Sequence, residues 1–211
     1  MKTLIPFLSL VSCTVLHAEE LDATKFLTIQ VGDLPIILSA PHGGRVAVPG
    51  VPERLGVGIE KFVTVRDDGT AELTDKLAAE LEKLFKAKPH IVVARFERKY
   101  LDVNRPTTGA YESDKAKPLY EAYHKALAEA SKKVQVEWGR GLLLDIHGQA
   151  ANAEAIFRGT QNGKTTTALT TRYGVAALTG PKSILGVLAK AGYPIIPEND
   201  STDKEDKRFG G

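Results

Sequence analysis

The chain has 211 residues, 43% of them hydrophobic and 26% charged, with a formal net charge of +2. That length and apolar content suit one domain with its own core, and no basic cluster is large enough to argue for nucleic acid. The single cysteine, Cys13, excludes an intrachain disulfide and any zinc site built on two or four cysteines, so a metal here must be held by His, Asp and Glu.

The chain opens as a targeting segment. Lys2 supplies a positive start, residues 4–16 are apolar but too short to span a bilayer, and Ala18 precedes Glu19-Glu20 as a cleavage point. Leu10-Val11-Ser12-Cys13 also has the pattern of a bacterial lipobox, which would make Cys13 a lipid anchor. The apolar run continues past Cys13, which favours a signal peptide over 1–18 cleaved near Ala18. Either route predicts an exported protein, periplasmic or extracellular, with no membrane span. Residues 24–211 then read as a single domain.

Residues 26–31 alternate apolar and polar, Gly32-Asp33 makes a turn, and 35–40 (PIILSA) is a second apolar strand, so the pair predicts a hairpin. The second strand runs into Pro41-His42-Gly43-Gly44, where glycines after the histidine let a ligand or a backbone come close. Residues 45–64 predict a loop. Thr70 is placed to N-cap a helix with apolar positions Leu73, Leu77, Leu81 and Leu84, and Asp67 and Asp68 sit at its positive end.

Pro89 stops that helix and 90–96 (HIVVARF) predicts a buried strand, followed by a dense charged stretch from Glu97 to Pro106. Within it Asn104-Arg105 offers an amide and a forked guanidinium to a carboxylate. A long helix runs from Pro118 to Trp138 on a stripe of Tyr120, Tyr123, Leu127, Ala130 and Val134, with His124 one residue off the stripe. Residues 141–145 (GLLLD) read as a strand buried on both faces in the middle of a sheet. It ends in Asp145, His147, Gly148 and Gln149, a repeat of the strand-His-Gly pattern at His42. Asp145 and His147, two apart, share a face of an extended chain. Residues 155–157 are a short strand leading to Arg158. A helix over 181–191 turns Ile184, Leu185 and Leu188 inward, 193–196 is a last strand, and a charged tail follows. Strand–helix alternation predicts an α/β fold with a mixed, largely parallel central sheet flanked by helices.

The polar candidates therefore gather at the ends of separate strands: His42, the Asp67 region, Asp102 to Arg105, and Asp145 with His147. Two imidazoles and a carboxylate with an open position have the chemistry of a hydrolytic zinc site, and a nearby Arg would fix a substrate carboxylate or an oxyanion.

Taken in order, several motifs resemble the N-formylglutamate amidohydrolase family. They are Ser39-Ala40-Pro41-His42-Gly43-Gly44, Arg66-Asp67 with Thr70 and Glu72-Leu73, Arg98-Lys99-Tyr100 with Asp102 and Asn104-Arg105-Pro106, Ala110-Tyr111-Glu112, Tyr123-His124, Leu144-Asp145-Ile146-His147-Gly148-Gln149 and Arg158-Gly159-Thr160. The resemblance runs from residue 39 to 163. It implies a zinc carboxypeptidase-like fold (phosphorylase/hydrolase-like), one Zn2+ at the strand ends with His42 and His147 as ligands, and Asn104-Arg105 as the carboxylate clamp.

Two features depart from the carboxypeptidase pattern. The Glu ligand three residues after the first His is replaced by Arg45, and Asp67 is taken as the third ligand, with Asp68, Glu72 and Asp145 as alternatives. Asp145, Asp102 and His124 are expected to support the ligands, and Arg98 or Arg158 to stabilise an oxyanion. The general-base Glu expected on a late strand is missing. Only Glu198 and Glu205 follow residue 196, which leads to the expectation that the natural protein continues beyond Gly211.

The function expected is zinc-dependent hydrolysis of a linear amide in a carboxylate-bearing small molecule or peptide, N-formylglutamate-like or N-acyl amino acid. The rivals are an exported carboxypeptidase-like peptidase and a catalytically impaired module that binds metal and carboxylate.

Overall fold

A computed structural model describes residues 21–209. The proposed leader and Cys13 lie outside the described residues. Among the described residues no helix is long and apolar enough to cross a membrane. Where the sequence suggests one domain over 24–211, the chain groups into two compact units, one ending at Gly148 and one beginning at Gln149.

The first unit is three-layered. Strands β1 (Leu27–Gln30), β2 (Ile36–Ala40), β3 (His90–Ala94) and β4 (Leu142–Asp145) form one sheet in the order β1-β3-β2-β4. β3 and β4 both run parallel to β2, and only β1 is antiparallel. Helix α1 (Thr70–Phe85) covers one face and, after the single turn α2 (Thr107–Ala110), α3 (Lys117–Trp138) covers the other. Strand alternation divides the core. Ile91, Val93, Leu38 and Ala40 pack with Ala71 and Ala78 of α1. Val92 and Ala94 pack with Leu119, Tyr123 and Ala126 of α3. The sheet is thus mixed and mostly parallel, flanked by helices.

The expected hairpin of 26–31 with 35–40 does not form. β1 pairs with β3, Leu27 opposite Ala94, and β3 lies between β1 and β2. All five residues of β3 are buried, its two faces covered by α1 and α3, whereas β1 carries Ile29 at 49% exposure and suits an edge. The chain after β1 bends around the start of β3 instead: the Asp33 and Leu34 amides both donate to the Lys88 carbonyl.

β4 is also placed differently from expectation. It pairs with β2 alone among the described strands, and Leu142 and Leu143 are 37% and 45% exposed. An unbroken apolar run states a preference for burial on both faces; it does not state how many neighbours the strand has.

Helix α1 begins at Thr70 after Gly69 at φ +80°, so Gly69 rather than Thr70 is the cap. Its inward face is Thr70, Ala71, Thr74 and Ala78, with Leu77 and Leu81 at the margin, while Leu73 and Leu84 of the expected stripe are exposed. Small residues face inward because the helix start lies close to the end of β2. A Cβ on Gly43 would stand 2.4 Å from the Ala71 nitrogen, and one on Gly44 would stand 2.2 Å from the Arg95 carbonyl carbon. The glycines after His42 thus admit backbone.

In the second unit β5 (Ile156–Phe157) pairs in parallel with β6 (Ile195–Ile196). Between them lie α4 (Thr167–Tyr173) and α5 (Ala176–Thr179), which the sequence reading leaves without structure, and α6 (Ile184–Lys190). Ser183 caps α6 by accepting from the Gly186 amide at 2.9 Å. Ile184, expected inward, is 47% exposed; Gly186 is buried there because a Cβ would meet the Gly180 carbonyl oxygen at 2.0 Å.

Gly44→Ala is expected to lower stability by about 1–3 kcal/mol, as overpacking against fixed backbone does. A shift of the urea midpoint with an unchanged slope measures it.

Candidate metal centre

The register of two parallel strands builds the site. Ser39 of β2 lies opposite Asp145 of β4, so the strands end level. His42 and His147 leave at the same end of the sheet, with ring centroids 5.1 Å apart. Asp67, three residues ahead of α1, is held there through its own amide, which donates to the His42 carbonyl at 3.0 Å. One ligand atom from each of His42, Asp67 and His147 lies within 4.8 Å of the other two.

Each imidazole has one nitrogen committed to a carboxylate. His42 is buried, and its Nε2 sits 2.7 Å from Asp102 Oδ1. With Asp102 ionised, Nε2 is placed to donate to it, which turns Nδ1 toward the cluster. That Nδ1 has no hydrogen-bond partner among the described residues and faces Asp67 Oδ2 at 3.5 Å. His147 is exposed and placed alike in part, with Nε2 2.9 Å from Asp145 Oδ2, but its Nδ1 is hydrogen-bonded to Asp67 Oδ2 at 3.2 Å. The unpartnered Nδ1 of His42, directed at a carboxylate, calls for a proton or a metal cation between the two. The donor set of two imidazole nitrogens and a carboxylate oxygen suits zinc. The residues present therefore fit such an ion.

The carboxylates are braced in turn. Asp102 accepts from Arg98 Nε and Nη2, both at 2.8 Å, and from the Asn104 amide at 3.0 Å. Asp145 Oδ1 accepts from Ser39 Oγ at 2.5 Å. Asp67 Oδ2 accepts from the Gly148 amide at 3.0 Å, and a Cβ on Gly148 would stand 3.1 Å from Asp67 Cβ. Burial alone would push the Asp67 and Asp102 carboxyls up. The His147 and Gly148 hydrogen bonds and the nearby His42 ring hold Asp67 well below the usual carboxylate range, and His42 and Arg98 do the same for Asp102. Burial likewise opposes ionisation of Asp145, and His147 and Ser39 bring its carboxyl down. Burial would depress His147, but Asp145 and Asp67 carry it up to about 9.

Of the alternative ligands, Asp68 faces Arg66 and Arg45, Glu72 faces Arg45 at 3.5 Å, and Asp145 lies on the Nε2 side of His147. Arg98 is buried and turned to Asp102, with Nη1 3.8 Å from Asp67 Oδ1, so its place is behind the carboxylates. Asn104 is exposed beside His147, its Nδ2 3.3 Å from Nε2, and Arg105 donates from Nη1 to the Asn104 carbonyl. His124 is exposed on α3 with its ring 4.3 Å from that of Tyr120 and takes no part in the cluster. Ser39, quoted in a motif but given no role by the sequence reading, proves to hold Asp145. A lone hydroxyl at a buried position of an otherwise apolar strand is the signal that could have found it.

Arg158 belongs to the second unit. Its Nε donates to Glu205 at 3.1 Å. Glu205, which the sequence places in a solvated tail, is 5% exposed. It also accepts from the Thr160 amide and hydroxyl and from the Asn162 amide. These donors hold its carboxyl below its ordinary value against the effect of burial.

The fold is shared with a solved N-formylglutamate amidohydrolase from Ralstonia eutropha JMP134. The two align with a TM-score of 0.52 at 20% identity over 88% of this chain and 78% of that one. A gene product of Agrobacterium tumefaciens aligns with a TM-score of 0.45 at 14% identity, over 81% of this chain and 82% of that one. No family model matches the chain, and no curated protein matches it.

If the cluster holds a divalent metal, Asp102→Asn is expected to lower its affinity about 10–100-fold by releasing the His42 ring, as read by competition with a chelator. Glu205→Ala should cost about 1–3 kcal/mol at neutral pH by leaving buried donors unpaired. Because the folded carboxyl titrates below the unfolded one, this stability is present above about pH 4.3 and is lost as pH falls through the folded value. Urea unfolding of the parent and variant should therefore converge in acid.

Proposed function

We propose that this chain is a metal-dependent amidohydrolase, with zinc held by His42, Asp67 and His147. Its substrate is a linear amide that carries a carboxylate, N-formylglutamate or another N-acyl amino acid or peptide. One observation carries the reading: the unbonded, buried Nδ1 of His42 faces Asp67 within reach of His147. The fold likeness to a protein named N-formylglutamate amidohydrolase supports it.

When bound, zinc supplies Lewis acidity toward the amide carbonyl and lowers the pKa of a water. The chain's own groups prepare the rest. Asp102 and Asp145 engage the Nε2 atoms of His42 and His147 and so turn both Nδ1 atoms toward Asp67, where a metal would take the place of any proton. Asn104 and Arg105, on the loop after β3, hold the substrate carboxylate. The Arg105 carbonyl accepts from Tyr120 Oη at 3.0 Å, which fixes the backbone that carries this pair. Arg98 keeps Asp102 ionised. Arg158 is paired with Glu205 within the second unit.

A second reading is that the His42, Asp67 and His147 cluster binds metal and carboxylates without turnover. We also propose export through the leader over residues 1–18, in which case N-acyl amino acids and peptides are the accessible substrates.

The test measures bound zinc and hydrolysis of N-formylglutamate, N-acetyl amino acids and short peptides. The unaltered chain is expected to hold zinc and cleave at least one of them, and His42→Ala and His147→Ala to lose both properties. Unchanged zinc content in both variants overturns the ligand assignment. Zinc and carboxylate binding with no cleavage establishes the second reading. Arg105→Ala should weaken substrate binding about 10–100-fold, the loss of a charge-assisted pair of about 1.5–3 kcal/mol, and should appear mainly in KM.

A further inference from the structure

Arg54 lies in the long loop between β2 and α1 and is 5% exposed. A buried guanidinium normally faces a carboxylate. This one makes no ion pair among the described residues and spends its donors on backbone. Nη1 donates to the Gly109 carbonyl at 3.2 Å, and Nη2 donates to the Val63 carbonyl at 2.9 Å and the Arg98 carbonyl at 2.8 Å. The guanidinium carbon lies 5.0 Å from the centre of the Phe62 ring. A buried charge held only by carbonyls is expensive, so the three carbonyls it selects are informative.

Each belongs to a stretch that delivers a carboxylate to the cluster. Val63 lies four residues ahead of Asp67. Arg98 begins the turn that ends in Asp102, and its side chain grips Asp102 while its carbonyl is gripped by Arg54. Gly109 precedes Ala110, whose carbonyl receives the Asp102 amide at 2.8 Å. The Arg54 amide also donates to the Lys99 carbonyl at 2.9 Å. One planar fork therefore joins the approach to Asp67 with both ends of the Asp102 loop. A lysine ammonium, a point donor on a flexible stem, does not reproduce that spread.

We propose that Arg54 is a positioning residue for the metal centre, setting Asp67 and Asp102 relative to one another before any ion binds. The inference rests on the metal reading of the His42, Asp67 and His147 cluster. A merely structural role would be to pin the loop, and the loop has a second pin, beside Arg54, to compare. The Glu112 carboxylate accepts from the Leu55 amide at 2.9 Å and the Gly56 amide at 2.6 Å, and these bonds reach neither Arg98 nor Gly109.

The experiment uses Co2+ as the probe on the full chain, reading affinity by chelator competition, the visible absorption band, and the urea midpoint. Arg54→Met is expected to weaken Co2+ binding about 10–100-fold and to alter the band, as loss of outer support for a metal site does. Arg54→Lys should recover only part of the affinity. Glu112→Gln should lower the urea midpoint with affinity and band unchanged. If Arg54→Met does not fold, Arg54→Lys is read by the same criterion, a loss of about tenfold or more supporting the inference. Co2+ affinity within about twofold of the unaltered chain overturns it, being well short of what outer support of a metal site contributes. So does an equal loss of affinity in the Glu112→Gln variant, which would make the effect general loosening of the loop. Failure of the unaltered chain to bind Co2+ overturns the metal reading and this inference together, whereas binding by the unaltered chain and an unaffected Arg54 variant overturns this inference alone.

Discussion

Three carboxylates, Asp67, Asp102 and Asp145, converge on two imidazoles, and a single guanidinium, Arg98, is paired among them. Taking carboxylates out of water is costly, and each must be offset locally. Here the offsets are strand-end amides, the Ser39 hydroxyl, Arg98 and the imidazoles themselves. After these are counted the cluster still carries an excess of negative charge and lone pairs directed at one point. The sheet order, the glycines after each histidine and the start of α1 against β2 all serve to bring that excess together.

The same charge logic separates the roles of groups that look alike in sequence. Asp67 and Asp68 are neighbours at a helix start, yet Asp68 turns outward to Arg45 and Arg66 while Asp67 turns in. Asp102 and Asp145 each take the outer nitrogen of one histidine. The two histidines are therefore alike in partner and position, each presenting Nδ1 inward, although His42 is buried and His147 exposed. This symmetry comes from β2 and β4 being parallel and level, since an antiparallel pair would send the two strand ends to opposite sides of the sheet.

Much of this is legible in the residues. Apolar strands ending in His-Gly announce where the imidazoles emerge, and an acidic pair ahead of a helix announces the carboxylate. The strand order is not legible. The pattern of 26–31 states that one face is wet, and that of 90–94 states that both faces are dry, but neither names a partner; the central place of β3 follows from packing on α1 and α3 together. The direction of Arg98 is also hidden, because a guanidinium in a charged loop gives no sign of which carboxylate it will meet. Glu205 reads as solvated because its neighbours in the tail are charged. Its burial depends on the donors of the Thr160 to Asn162 turn, more than forty residues away.

The parallel pairing of β2 with β4 joins Ser39 to Asp145 across 106 residues of chain. Contacts so distant in sequence form only after the entropy of closing the intervening loop has been met, and they set the pace of folding in such sheets. During synthesis the segments bearing His42, Asp67 and Asp102 emerge before the strand that brings His147. A nascent chain can thus assemble one histidine and its two carboxylates while the fourth group is still inside the ribosome. Completion of the set is tied to the docking of β4, which makes that docking both the step that closes the sheet and the step that finishes the cluster.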